Sequence, residues 1–184
     1  MRSDRTVLAY SFAITTLLLA ASGRADAPPE PDGYQMQDYR SPTPATLRGA
    51  KVLDTREAAA SWKEGSSVFV DVLPRSPKPA NLPPGTLWRD PPHDSLPGAV
   101  WLPNTGYGAL SADTEAYLRR GLESATRGDL DKPVAFFCQR HCWMSWNAAK
   151  RALGYGYRRV SWFPDGTDGW VEAGLPLQRI EPNR

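Results

Sequence analysis

Cys138 and Cys142 are the only cysteines in a chain of 184 residues. Gln139-Arg140-His141 separates them, Val134-Ala135-Phe136-Phe137 precedes them, and Trp143-Met144-Ser145-Trp146-Asn147-Ala148-Ala149 follows. The first run suits a buried strand and the second a helix, so both thiols fall at a strand-to-helix junction. Amides at a helix start lack intrahelical acceptors, and the helix dipole favours negative charge there. A thiol in that position shifts toward thiolate, the nucleophilic form. Two kinds of chemistry follow: attack by Cys138 with Cys142 as resolving thiol, or a disulfide between them. Closing so short a loop gains little chain entropy, so a bond here points toward chemistry more than toward stability.

The residues around the pair set what else it can do. His141 can tune the thiols, but three ligands within five residues is too tight for zinc, and His93 would have to come from afar; no metal site is expected. The spacing also differs from a haem attachment signature, which ends in His. Arg140 can supply positive charge to the loop or be a solvated loop residue. Trp143 and Trp146, with Trp101, Trp162 and Trp170, either frame an aromatic site or, more in keeping with their size, pack the core. Asp71, at the end of another apolar run, is expected to order the loops of the site by accepting amide hydrogen bonds. Asp165 and Asp168 are expected to cap the last helix.

These side chains need a frame to hold them. Ala50-Lys51-Val52-Leu53-Asp54 alternates as a short strand, and Thr55 is placed to cap a helix through Lys63 that closes at Gly65. Ser67 to Leu73 reads as a strand buried on both faces. Residues 74–97 hold eight prolines and predict a long irregular loop. Gly98 to Leu102 resumes as a strand, and Ser111 caps a helix from Ala112 to about Ser124. Val134 to Phe137 is the strand before the cysteines, with a helix from Met144 to Leu153 stopped by Gly154 and Gly156. Arg159 to Phe163 is a last strand and Thr167 to Ala173 a short last helix. Strands alternating with helices predict an α/β fold with an open sheet covered on both faces. Ligands in such sheets bind at the carboxyl ends of the strands, where Cys138 falls.

A net charge of +2 offers no basic surface for nucleic acid. Arg2 and Arg5 precede an uncharged apolar run, Val7 to Ala21, and small residues follow. That run is shorter than the roughly 20 residues a bilayer span needs, so residues 1–27 read as a signal peptide of an exported, periplasmic protein, the alternative being an uncleaved N-terminal anchor. No transmembrane span is expected in the mature chain. Residues 28–48 read as a proline-rich, extended lead-in. In an oxidising compartment the cysteine pair can persist as a disulfide.

With these elements in order, the chain resembles a rhodanese-type domain. Asp71-Val72 resembles the Asp-Val-Arg that ends that fold's second strand, and His93-Asp94-Ser95-Leu96-Pro97-Gly98-Ala99 its Gly-His-Ile-Pro-Gly-Ala segment. Cys138 matches the active-site cysteine, Gly154-Tyr155 the helix stop, and Gly166 to Pro176 with Trp170 the closing Trp and Gly-x-Pro pattern. The resemblance implies an open, mostly parallel five-stranded sheet with helices on both faces over residues 49–178, followed by a tail at 179–184. Cys138-Gln139-Arg140-His141-Cys142-Trp143, with Pro97 to Pro103 and Asp165 to Trp170, also resembles an exported bacterial family. That family is named for a Cys-x-x-x-Cys-Trp motif and for pyrroloquinoline quinone (PQQ)-dependent catabolism.

What this second likeness implies is an accessory role in alcohol oxidation, with thiol redox through Cys138 and Cys142. A PQQ-dependent dehydrogenase, a cytochrome or a transport component would be the partner. No cofactor is required, although PQQ or another redox cofactor fits such a role. The alternative is an inactive rhodanese scaffold that binds a quinoprotein, cytochrome or cofactor, and ordinary sulfur transfer ranks third. Three departures bear on that ranking. Trp143 stands where the rhodanese loop carries a cation, His141 where it carries a Gly, and Leu73 where Asp-Val-Arg has its Arg. The His141 change predicts a loop that fails to curl into an anion cradle.

Overall fold

The computed structural model describes residues 27–184, so the expected signal peptide lies outside the described residues except for Ala27. Its elements run β1 (Lys51–Val52), α1 (Thr55–Lys63), β2 (Val68–Asp71), β3 (His93–Ser95), β4 (Val100–Trp101) and α2 (Ala112–Thr126). They continue with β5 (Val134–Phe137), α3 (Trp143–Gly154), β6 (Val160–Phe163), α4 (Gly166–Glu172) and β7 (Gln178–Ile180). Five of the strands form one sheet in the order β1-β6-β5-β2-β4, and every pair in it is parallel.

Side chains alternate across a strand, and here the parity of residue numbers sorts the core into two layers. Val70, Val72, Val134, Phe136, Val160 and Trp162 face one way and pack with Leu118 and Leu122 of α2 and Trp146, Ala149 and Ala152 of α3. Phe69, Ala135, Phe137 and Phe163 face the other way and pack with Ala58 of α1 and Trp170 of α4. The strands read as continuous apolar runs because both layers are dry. Trp146, Trp162 and Trp170 are fully buried, and Trp101 and Trp143 nearly so. The tryptophans are core residues before they are anything else.

The sequence places the five parallel strands and four helices correctly, with two local differences. Asp54, not Thr55, caps α1: its carboxylate accepts the Glu57 amide at 2.7 Å while the Glu57 carboxylate accepts the Asp54 amide at 3.1 Å. This reciprocal box outcompetes a Thr cap because it satisfies two orphan amides at once. The loop expected over 74–97 contains β3, which pairs antiparallel with β7 of the tail: His93 opposite Ile180, Asp94 opposite Arg179. Neither three-residue segment carries apolar alternation, and the Asp94–Arg179 ion pair across the ribbon is visible only in three dimensions. No helix among the described residues is long and apolar enough to cross a membrane.

Lys51 lies 2.9 Å from Glu57, and its hydrogen bond, seconded by the Asp54 amide, holds the Glu57 carboxyl below its ordinary pKa. A depressed folded pKa stabilises the fold above the unfolded value and loses that contribution as pH falls through the folded one. Glu57→Gln should therefore destabilise the protein at neutral pH by less than about 1 kcal/mol, because the group is partly solvent-screened. The gap to wild type should close in acid, as read by urea unfolding across pH.

Candidate functional site

Cys138 is the first residue beyond β5, and it continues the parity of Val134 and Phe136 onto the α2–α3 face. Cys142 is the N-cap of α3, supplies no side-chain cap, and faces the same layer. The two sulfurs sit at disulfide distance across a Cα–Cα separation of 6.4 Å. Both residues are buried, at 1% and 2% of their accessible surface. The loop between them turns at His141, which adopts φ +55°, a left-handed conformation. His141 is solvent-exposed, which leaves its side chain room at that backbone geometry.

The loop is pinned from two sides. On one, Thr167 donates its amide at 2.9 Å and its hydroxyl at 3.3 Å to the Cys138 carbonyl. Gly166, at φ +53°, lies so close to that carbonyl that an added Cβ would collide with it. The Arg140 amide donates to the Asp168 carboxylate at 3.1 Å. The Arg140 guanidinium makes two bonds of 2.6 Å to Glu172, with Asp165 3.7 Å away. These carboxylates, Glu172 first, raise the Arg140 pKa above the ordinary guanidinium value, and Arg140 lowers that of Glu172. Arg140 is therefore committed to α4 and does not replace the cation missing at Trp143. Asp165 holds the N-cap position of α4 without capping it, and Asp168 serves the cysteine loop; the expected capping role of both is corrected.

On the other side lies the lead-in. The Trp143 amide, the first of α3, donates to the Tyr39 carbonyl at 2.9 Å, and the Trp143 indole donates to Ser41 at 3.0 Å. Asn147, fully buried, receives the Gln35 amide and donates to the Gln35 and Gly106 carbonyls, each at 2.9 Å. Lys150 donates to the Pro31 and Asp32 carbonyls, and the Trp146 indole to Thr46. Residues 31–46 thus form a strap bound along α3 by its own polar side chains.

This geometry corrects the picture of an accessible thiolate ringed by amides. Asp168 and Tyr39 already occupy the amides of Arg140 and Trp143. The polar atoms beside Cys138 Sγ are carbonyl oxygens, of Cys142 at 3.5 Å and Gln139 at 3.8 Å. Carbonyl dipoles turn their negative ends to the sulfur and disfavour an anion there. Among the described residues no group of His, Cys, Asp and Glu is placed to hold a metal.

Asp71 stands on the opposite face of the sheet. Its register partner is Phe137, not Cys138. One carboxylate oxygen accepts the Leu73 amide at 2.8 Å, and the other accepts the Ser95 hydroxyl at 2.5 Å and lies 2.8 Å from His93 Nε2. It orders the start of the proline-rich loop and β3, not the cysteine loop as expected. Residue types alone did not mark Tyr39, Ser41, Thr167 or Glu172 as part of the site. Asn147 offered a signal, since an amide within an apolar helix needs partners from another segment.

The chain was compared with known proteins on this footing. No protein-family model matches it, and no curated protein matches it. Among solved structures it is similar to a thiosulfate sulfurtransferase from Pseudomonas aeruginosa, with TM-score 0.50 and 19% identity over 74% of this chain. This chain spans only 22% of that protein's length. A polysulfide-sulfur transferase from Wolinella succinogenes is also similar, with TM-score 0.43 and 17% identity, over 71% of this chain and 79% of that one. The first likeness shows a rhodanese-like fold, as the sheet order and helix layers do.

Burial and double pinning predict a disulfide that opens only when the loop does. Reduction by glutathione, followed by released thiols, should be at least about tenfold slower in buffer than in denaturing urea. Gly166→Ala should destabilise the fold by more than about 1 kcal/mol and speed native-state reduction.

Proposed function

We propose that this protein is an exported, rhodanese-like accessory protein of PQQ-dependent alcohol catabolism, in which Cys138 and Cys142 act as a two-electron thiol–disulfide couple. One observation carries the reading: the second cysteine sits on α3 at bonding reach of the residue that occupies the rhodanese nucleophile position. A rhodanese cysteine must be free to carry a transferred sulfur. Here the bond to Cys142 takes that place, and the cradle that would hold a sulfur anion is filled by Asp168 and the Tyr39 carbonyl. Both facts weigh against ordinary sulfur transfer.

The couple works through partner sulfur chemistry. A thiolate of a partner dithiol attacks one sulfur of the 138–142 bond and displaces the other as thiolate. The partner's second thiolate then breaks the mixed disulfide, so the partner is oxidised and both cysteines here gain electrons and protons. In reverse, reduced Cys138 attacks a partner disulfide and Cys142 resolves it. Because the bond is buried, a partner must loosen the 31–46 strap or the α4 pin first. A PQQ-dependent dehydrogenase, a cytochrome or a transport component of the periplasm is the partner this role calls for. The couple itself needs no cofactor, while PQQ or another redox cofactor would belong to the wider system.

A second reading is favoured by the burial of both sulfurs: a scaffold that binds a quinoprotein, cytochrome or cofactor and keeps the disulfide for its loop. The reduction potential separates the two. A working couple should equilibrate with glutathione buffers at a potential well above about −300 mV, and Cys142→Ser should accumulate mixed disulfides through Cys138. A potential below about −300 mV, with Cys138→Ser leaving partner binding intact, would establish the scaffold reading instead.

A further inference from the structure

The proline-rich loop, β3 and the tail enclose a cleft of about 750 Å³, on the far side of β4 from the cysteines. That volume is in the range that takes drug-sized molecules. Its floor is the His93 imidazole laid against Trp101, with ring centroids 4.1 Å apart and planes 32° from parallel. Asp71 holds the imidazole through Nε2, and no residue among those described bonds to Nδ1. The Trp101 indole donates to the Leu73 carbonyl at 2.7 Å, so both rings are fixed before any ligand arrives. Pro91, Pro92 and Pro182 add flat ring faces to the walls.

Most of the charge on the rim is paired, which leaves Arg89 as its uncommitted cation. Arg75, Arg89 and Arg179 line the cleft against two carboxylates, Asp90 and Glu181. Arg75 is paired with Asp90 at 3.1 Å and Arg179 with Asp94 at 2.8 Å. Arg89 makes no hydrogen bond or ion pair among the described residues. A guanidinium fork is built for a planar oxyanion such as a carboxylate, which it grips with two parallel bonds. Fixed aromatic and proline rings below and a free fork above select a flat molecule with an acid at its edge.

We propose that this cleft binds a small aromatic carboxylate, with the ring against His93 and Trp101 and the acid group on Arg89. The site is independent of the thiol couple, because Asp71, His93 and Trp101 are held on the other face and the other side of the sheet from the cysteine loop. It assigns a ligand to the loop that the sequence leaves without regular structure.

Titration calorimetry of the purified protein with 2-naphthoate, 2-naphthamide and cyclohexanecarboxylate tests both halves of the recognition. Naphthoate should bind. The uncharged amide and the non-planar acid should each bind at least about tenfold more weakly. Arg89→Ala, on an exposed loop where folding is not at stake, should weaken naphthoate by a similar factor, while Arg40→Ala, beside Trp143, should not change it. Equal binding of naphthoate and naphthamide, an unaffected Arg89→Ala variant, loss of binding in Arg40→Ala, or no binding of naphthoate would each overturn the proposal.

Discussion

The Cys138 peptide ties the molecule together at the carboxyl end of the sheet's central strand. Its sulfur reaches Cys142 at the head of α3, and its carbonyl takes two donors from Thr167 at the head of α4. Those two helices lie on opposite faces, so a single residue at the end of β5 sets both of them relative to the strand. The approach of Gly166 to that carbonyl allows no side chain, and the loop between the cysteines turns left-handed at His141. Remove either tie and the loop 138–142 loses the geometry that defines the site.

Polar groups elsewhere are consumed in holding this edge. A rhodanese-like loop presents amides and positive charge to an anion. In this chain the amides of Arg140 and Trp143 are spent on Asp168 and on the strap, and the guanidinium of Arg140 is spent on Glu172. The fold has kept the frame and refilled its cradle with its own acceptors. That is the physical ground for separating the rhodanese-like fold from the chemistry proposed for this loop.

The strap gives the lead-in a purpose that its composition conceals. Prolines keep the segment extended and out of helix; Asn147, Lys150 and Trp146 bind its carbonyls along α3, and Trp143 binds the Tyr39 carbonyl through its amide and the Ser41 hydroxyl through its indole. One of the two ties on the cysteine loop is therefore a segment remote in sequence and held by hydrogen bonds. Segments of that kind open at lower free energy than a packed core, which leaves the site closed at rest but not sealed.

By itself the sequence determined the things that depend on local pattern. Apolar runs gave five strands, Ser111 and Gly65 marked helix ends, and the placement of Cys138 after Phe137 put it at the carboxyl edge of the sheet. The parity of that strand even dictates which face the sulfur joins. Tertiary structure alone decided what surrounds the sulfur, because hydrogen-bond partners at separations such as Trp143 to Tyr39 or Arg140 to Glu172 leave no periodic trace. It also decided that Asp71 serves His93 and Ser95 across the sheet from the cysteines, and that β3 finds β7. Short polar segments like these have no apolar face to declare their partner, so only the folded chain can bring them together.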